Sequence, residues 1–392
     1  VIRIFFKITR IDGFALRMAM FYAAFFAFAG IQMPYLPAWL EAKGLDARQI
    51  GIVLAVPMLI RVVAVPFATR LIDRRFDHKT ALTLAAALSA AGYAAMGTAL
   101  GFAAIVAAYA AISIAYSPVL PLADSYGLRG LNARGLTYGP VRLWGSVAFI
   151  FANMAGGVVL ATLGAGELIW VLTGAMAVIG AVTLLLPRTF DAAAGAAKKP
   201  APGGLWRSGL FVAVVVGASL IQASHAVMYG FATLQWSADG LGGTSIGLLW
   251  AIGVAAEILL FAVSGRAIAR LGAIEMILLG ALGATLRWTA MAIDPPAVLL
   301  PILQCLHGLS FGATHLGAMH VLGRLSDRSG GATAQGDFAA LQGVTFAAAM
   351  GMSGVLVERF GSYAYLAMSL AAALGFVIAF AGRQAWHAAD RA

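Results

Sequence analysis

Charge is scarce in this chain and unevenly divided. Asp, Glu, Lys and Arg make up 11% of the 392 residues, with 16 acidic side chains against 26 basic ones. Soluble domains carry about 25% charged residues, so the chain lacks the side chains for an ordinary water-facing surface. A single cysteine, Cys305, excludes an intramolecular disulfide and any site built from several thiolates. Glu257 and the histidines of the spans have no fixed ligand spacing, and no nucleophile cluster accompanies them. The sequence therefore reads as neither an enzyme nor a metal site, and no cofactor is expected.

Apolar length is abundant instead, with 61% of residues hydrophobic. Runs of the roughly 20 residues needed to cross hydrocarbon recur twelve times, at 14–40, 50–71, 80–100, 102–125, 141–163, 168–186, 209–234, 246–268, 274–293, 297–319, 337–357 and 363–381. The fold class expected is an all-α membrane protein of 12 transmembrane helices. The first run reads as a span and not as a cleaved leader, because it is long and further spans follow.

A formal charge of +10 invites a nucleic-acid partner, but the placement of the basic residues argues otherwise. Nineteen of the 26 lie in loops on the side of the two termini, and only Lys43, Arg48 and Arg359 lie on the other. Such a bias encodes orientation, which places both termini in the cytoplasm and the chain in the cytoplasmic (inner) membrane. Nucleic acid is not expected as a partner; lipid is, and no obligate protein partner is evident.

Residues 187–208 are rich in Ala, Gly, Pro and Lys without apolar periodicity, and read as a cytoplasmic linker. They divide the chain into six-helix halves at 1–186 and 209–392. Sliding one half onto the other by 196 residues brings Gly44-Leu45 onto Gly240-Leu241, Ile50-Gly51 onto Ile246-Gly247, Arg70 onto Arg266 and Arg74 onto Arg270. Two halves in the same orientation are the signature of a parallel repeat about an axis along the membrane normal.

The remaining basic residues, Arg17, Arg61, Arg142 and Arg287, lie within spans. Charges there are costly, and face the bundle interior or a water-filled path. Arg17, near a span end, reads as an interface anchor. Arg61 is near mid-membrane, where snorkelling is a poor option, and the 196-residue offset places it on Glu257. It reads as a gate or counter-charge whose partner the sequence leaves open. Asp124 and Arg142 are level on consecutive spans and able to meet, or each to reach the interface. His225, His307 and His315 are either coupling residues or neutral donors across helix contacts. Tyr116, Tyr126, Trp144, Tyr229 and Trp288 are candidate aromatic walls, or packing residues.

Twelve spans, parallel halves and the basic loop TRLIDRRFDHK, which keeps Leu71, Asp73 and Arg74, resemble the major facilitator superfamily. With PLADSYG, YGPVRLWGS, ATLRW, QCLHG and the stretch from Gly30 to Gly51, the chain resembles its phenylpropionate permease branch, related to lactose permease and the nucleoside-proton symporters. The resemblance implies two pseudo-symmetric halves working by alternating access and driven by a proton gradient. It implies substrate contacts at Asp124 and Arg142, coupling at Arg287 and His307, and, one turn displaced, a role for Glu257. Two positions depart from lactose permease: Ser310 stands in place of its proton-carrying glutamate, and Gln342 in place of its lysine. Proton coupling then falls to Glu257, His307 and Asp124.

The reading this supports is uptake, with protons, of a small organic anion, an aromatic carboxylate such as a phenylpropionate. Substrate contacts are assigned to Asp124, Arg142, Trp144, Tyr229 and Arg287, and charge pairing or gating to Arg61, Asp73 and Arg74. A sugar or nucleoside symporter is the alternative. Drug efflux ranks lower, because the Gly-Pro motif of drug antiporters is missing from span five.

Overall fold

The computed structural model describes residues 12–75, 77–188, 205–329 and 332–390, without the side chains of 69–75, 326–329, 332–333 and 389–390. Among the described residues every regular element is a helix, as composition requires: inside hydrocarbon a helix satisfies its own backbone hydrogen bonds. In chain order these are α1 (Gly13–Ala42), α2 (Ala47–Arg75), α3 (His78–Thr98), α4 (Phe102–Tyr116), α5 (Val119–Asn132), α6 (Tyr138–Leu163), α7 (Leu168–Leu185), α8 (Gly209–Ala223), α9 (Ala226–Ala238), α10 (Gly243–Ala262), α11 (Ser264–Leu271), α12 (Ala273–Ala292), α13 (Leu300–Cys305), α14 (Thr314–Ser329), α15 (Ala332–Phe360), α16 (Ala364–Ala381) and α17 (Arg383–Asp390). Of the 187–208 linker, residues 189–204 lie outside the described residues.

Eleven helical stretches are long and apolar enough to cross a membrane, and the last, Ala334–Ala388, holds two crossings joined at a short turn, Gly361–Tyr363. The crossings therefore number twelve. Three are broken. The fourth breaks between α4 and α5 at Ser117 and Pro118, where proline cannot donate into the preceding turn. The seventh breaks between α8 and α9 at Ser224 and His225, and the tenth passes from α13 through a π-helical turn, Gly308–Ala313, into α14. At the turn before α3, Asp77 caps the helix. Its partial burial pushes the carboxyl up, but hydrogen bonds from the Thr80 hydroxyl and backbone N–H outweigh this and hold it below the usual carboxylate range.

Glycine decides where the first six crossings meet the last six. On the face opposite the termini, α6 and α10 touch backbone to backbone at Gly157 and Gly243, and a methyl on Gly247 would lie 2.7 Å from the Asn153 carbonyl oxygen. The matching contact joins α2 to α15. There a methyl on Gly51 would lie 2.9 Å from the Met350 carbonyl oxygen, and Gly354 abuts the Ala47 carbonyl. Ala47 and Gly51 stand 196 residues before Gly243 and Gly247, so the sequence repeat reappears as two equivalent crossings. Without a hydrophobic force between helices in lipid, such close backbone approach is the main source of helix affinity. The α6–α10 contact stops partway, α10 burying no residue fully beyond Gly253 toward the termini, while α2 and α15 stay in contact as far as Val62 and Gly343. The interior is thus sealed on one face and, along α10, less closed toward the other.

Gly157→Leu is expected to wedge α6 from α10 and open the sealed face. In a Cys305→Ser background, a cysteine at Ile246, fully buried in the seam, should then react with a membrane-impermeant maleimide at least about tenfold faster, reporting a population shift. An unchanged rate would show that the seam does not depend on glycine.

Candidate functional site

The breaks in the seventh and tenth crossings surround one side chain. Arg287, in the second half of α12, is 1% exposed. It donates to the Gln304 side-chain oxygen, to Met228 Sδ at 3.0 Å, and to His307 Nδ1 and Ser310 Oγ, each at 3.3 Å. Its guanidinium carbon lies 4.7 Å from the centre of the Trp288 ring. Among the described residues no carboxylate lies within ion-pair distance of it.

The nearest compensating charge acts through a histidine. A guanidinium only donates, so the His307 Nδ1 that faces Arg287 is an acceptor, and the ring proton sits on Nε2. That nitrogen faces Glu257 Oε2 of α10 at 3.4 Å. Glu257, His307 and Arg287 form a line in which a neutral imidazole separates a carboxylate from a buried cation. His315, whose ring stacks on Phe311 at 6.1 Å, lies within electrostatic reach of the same carboxylate.

His225 has a fixed tautomer for the opposite reason. At the break before α9 the Gln222 carbonyl accepts from the His225 backbone N–H at 3.2 Å, and because a carbonyl only accepts, the His225 Nδ1 that faces it at 3.1 Å carries the proton and donates as well. Its Nε2 therefore accepts from Ser310 Oγ at 3.0 Å, and Ser310 in turn accepts from Arg287. Ser310 lies in the π-helical turn, a distortion frequent at functional sites.

Across the interior, α1, α5 and α6 build a second polar group. Asp124 accepts hydrogen bonds from the Tyr22 hydroxyl at 2.9 Å and the Tyr138 hydroxyl at 2.7 Å. It makes no ion pair with Arg142. Instead Arg142 lies 3.9 Å from the centre of the Phe26 ring and 5.3 Å from that of Tyr22, a cation on aromatic faces. Asp124 and Arg142 are neighbours, as their level on consecutive spans suggested, but the two tyrosines take the carboxylate.

The aromatic candidates divide. Tyr229 is half-buried and faces the line of charges, its ring centre 6.3 Å from that of His307 and 5.9 Å from that of Phe346. Trp144 is a correction. It is 58% exposed and shares a face of α6 with Phe151 and Val158, seven and fourteen residues on, while Val141 and Gly145 turn toward the bundle. That face meets lipid, so Trp144 is no part of the interior wall. Trp288 is fully buried and donates to Ser224, and Tyr126 donates to the Pro187 carbonyl near the termini; both anchor helices.

Arg61 is exposed although it lies midway along α2. It makes no ion pair among the described residues, neither with Glu257 nor with any other acid. The side chains of Asp73 and Arg74 lie outside the described residues. Sequence reasoning had no signal for Phe26; Gln304 and Tyr138 were visible only as the first residues of QCLHG and YGPVRLWGS, and Ser310 only as the residue in place of a glutamate.

Because Arg287 is a buried cation, removing its acceptor is costly. Gln304→Leu is expected to destabilise the protein by about 2 kcal/mol, the scale of a hydrogen bond to a charged group. Adding Arg287→Met should recover part of that loss, since an apolar pair needs no acceptor. Apparent melting temperatures in detergent test both; additive losses would show that Gln304 does not act on Arg287.

Comparison with known proteins agrees with this architecture. The MFS_1 like family matches residues 15–367. A probable 3-phenylpropionic acid transporter of Escherichia coli (strain K12) is 28% identical over 89% of this chain and 90% of its own length. A maltose permease of Geobacillus stearothermophilus is 28% identical over 91% of each. Among solved structures, the nucleoside transporter NupG superposes with a TM-score of 0.82 at 18% identity, covering 95% of this chain and 98% of its own. A bacterial homologue of the human lysosomal transporter Spinster, inward-facing and unoccupied, gives 0.68 at 15% identity, covering 94% and 96%. The broken crossings, the glycine seam and the buried charges thus belong to a membrane transporter of the MFS_1 like family.

Proposed function

We propose that this transporter takes up a small aromatic carboxylate together with protons, by alternating access, across the cytoplasmic membrane with both termini inside. The observation that carries the reading is the line Glu257, His307, Arg287. With Glu257 ionised, the buried Arg287 is compensated through His307. A proton on Glu257 removes that compensation and leaves the interior richer by one positive charge, which favours entry of an anion at another cation of the same interior. Proton and carboxylate then favour each other's binding, and together they leave the net charge of the interior unchanged.

Arg142 is the carboxylate's ligand in this reading. It is half-buried and makes no ion pair among the described residues, and Phe26 and Tyr22 already offer it aromatic faces. Tyr229 adds an aromatic surface from the other side. Asp124, held by two hydroxyls, orients the tyrosines around Arg142 and is the second proton candidate. The relative named as a 3-phenylpropionic acid transporter supports the substrate class. Residues 1–186 and 209–392 would rock about this site while the glycine seam opens and closes. The maltose permease and the nucleoside transporter among the similar proteins support a neutral substrate instead, with Asp124 and Arg142 binding hydroxyls.

Purified protein in liposomes with an inward proton gradient should accumulate 3-phenylpropionate beyond passive entry into empty liposomes. Accumulation of a neutral sugar or nucleoside alone would overturn the anion. Arg142→Ala should weaken substrate binding at least about thirtyfold, the lower end for truncating one partner of a desolvated charge pair; wild-type affinity would remove Arg142 from the site. Glu257→Gln should still exchange substrate across the membrane yet lose uphill accumulation and its dependence on the gradient. Full accumulation in that variant would take Glu257 out of the proton path.

A further inference from the structure

Arg61 is an arginine in mid-membrane that makes no ion pair among the described residues. The lipid-facing stripe of α2 is visible in Ile52, Leu59, Val63 and Phe67, all exposed apolar side chains spaced seven, four and four residues apart. Arg61 is two residues from both Leu59 and Val63, about 200° around the helix from each. It therefore points away from lipid. Leu54, seven residues earlier on Arg61's face, reaches toward Gly230 of α9, with Leu54 Cδ1 3.7 Å from where a Gly230 methyl would sit. The face of α2 that carries Arg61 is thus turned toward α9, away from the exposed apolar stripe, and Arg61 is exposed on that inward side.

The neighbour of Arg61 there is Tyr116, the last residue of α4 before the Ser117 and Pro118 break; the two side chains interact electrostatically. The Tyr116 hydroxyl makes no hydrogen bond among the described residues. A free guanidinium and a free phenol hydroxyl offer donors that match a carboxylate. From Tyr116 an aromatic run leads to Arg142. The Tyr116 ring stacks on Phe25 with centres 5.4 Å apart and planes 8° apart, Phe25 meets Phe26 at 5.2 Å, and Phe26 carries the Arg142 guanidinium at 3.9 Å. Tyr116, Phe26 and Arg142 are half-buried, and Phe25 backs them from the core.

We infer that Arg61 and the Tyr116 hydroxyl form a second anion subsite, and that the preferred substrate is an aromatic dicarboxylate, one acid on Arg142, the other on Arg61, the ring along Tyr116 and Phe26. Two guanidiniums that make no ion pair among the described residues, at the two ends of one aromatic surface, match two negative charges at the two ends of one ring. A ligand with a single carboxylate leaves one of them unneutralised. The inference rests on the proposed uptake of aromatic carboxylates and specifies which of them fits best.

The test compares two compounds that differ by one group, 3-phenylpropionate and 3-(4-carboxyphenyl)propionate, by calorimetric titration of the purified protein in detergent. Wild-type protein should bind the diacid at least about tenfold more tightly than the monoacid, a difference of about 1.4 kcal/mol. In Arg61→Gln the ratio of the two dissociation constants should fall to near one. Tyr116→Phe, which removes only a hydroxyl, should lower it about two- to threefold, on the scale of one modest hydrogen bond, and keeps the test open if Arg61→Gln does not fold. A wild-type ratio near one, or a tenfold ratio that survives both substitutions, would overturn the second subsite while leaving monoacid uptake standing. Binding of neither acid by the wild type would overturn the aromatic-carboxylate reading and this inference with it.

Discussion

A positive charge that cannot reach water organises the interior of this transporter. Arg287 is fully enclosed by α9, α12 and the broken tenth crossing, and a cation there is tolerable only with acceptors around it and a compensating charge close by. Much of the local irregularity follows from that need. The π-helical turn brings Ser310 within reach of the guanidinium, the break before α9 brings His225 to Ser310, and His307 links Arg287 to Glu257. Each hydrogen bond fixes the tautomer of the ring it touches, so a proton added anywhere along the line must rearrange it.

The glycine seam stands in a different relation to the site. It contributes no charge and no ligand contact, yet it decides which face of the interior is closed. The two crossings are related by the 196-residue repeat, α2 with α15 and α10 with α6, so one packing solution is used twice. Helices whose backbones touch through glycine can separate without unlocking interdigitated side chains, which would suit the opening and closing that the proposed alternating access requires. Asn153 lies in this seam, eleven residues along α6 from Arg142. A wedge at the seam therefore acts on the helix that carries Arg142.

Much of the site was legible because a charged residue inside an apolar run is conspicuous. Arg61, Asp124, Arg142, Glu257, Arg287 and His307 were all visible as intrusions, and the structure places all six in the interior. Their partners were less legible. Asp124 and Arg142 are opposite charges on neighbouring helices, but the carboxylate is held by Tyr22 and Tyr138 while the guanidinium lies on Phe26. Trp144 shows the same limit from another side. In a soluble helix the polar face marks the outside, whereas in a bilayer both the lipid face and the packed face are apolar, so a tryptophan gives no sign of which it occupies.

What the sequence determined by itself is the architecture: twelve helical crossings, the repeat that relates their contacts, and a set of charges that had to face inward. The physical reason is that hydrocarbon admits a crossing chain only with its backbone bonds satisfied internally, and admits a charge only where protein or water receives it. What the tertiary structure decided is how each helix is turned about its own axis and where three of them break. Those rotations chose tyrosines for Asp124, aromatic faces for Arg142, a neutral histidine between Glu257 and Arg287, and a face turned away from the exposed apolar stripe of α2 for Arg61. They are set by contacts with neighbouring helices, to which apolar composition is nearly blind.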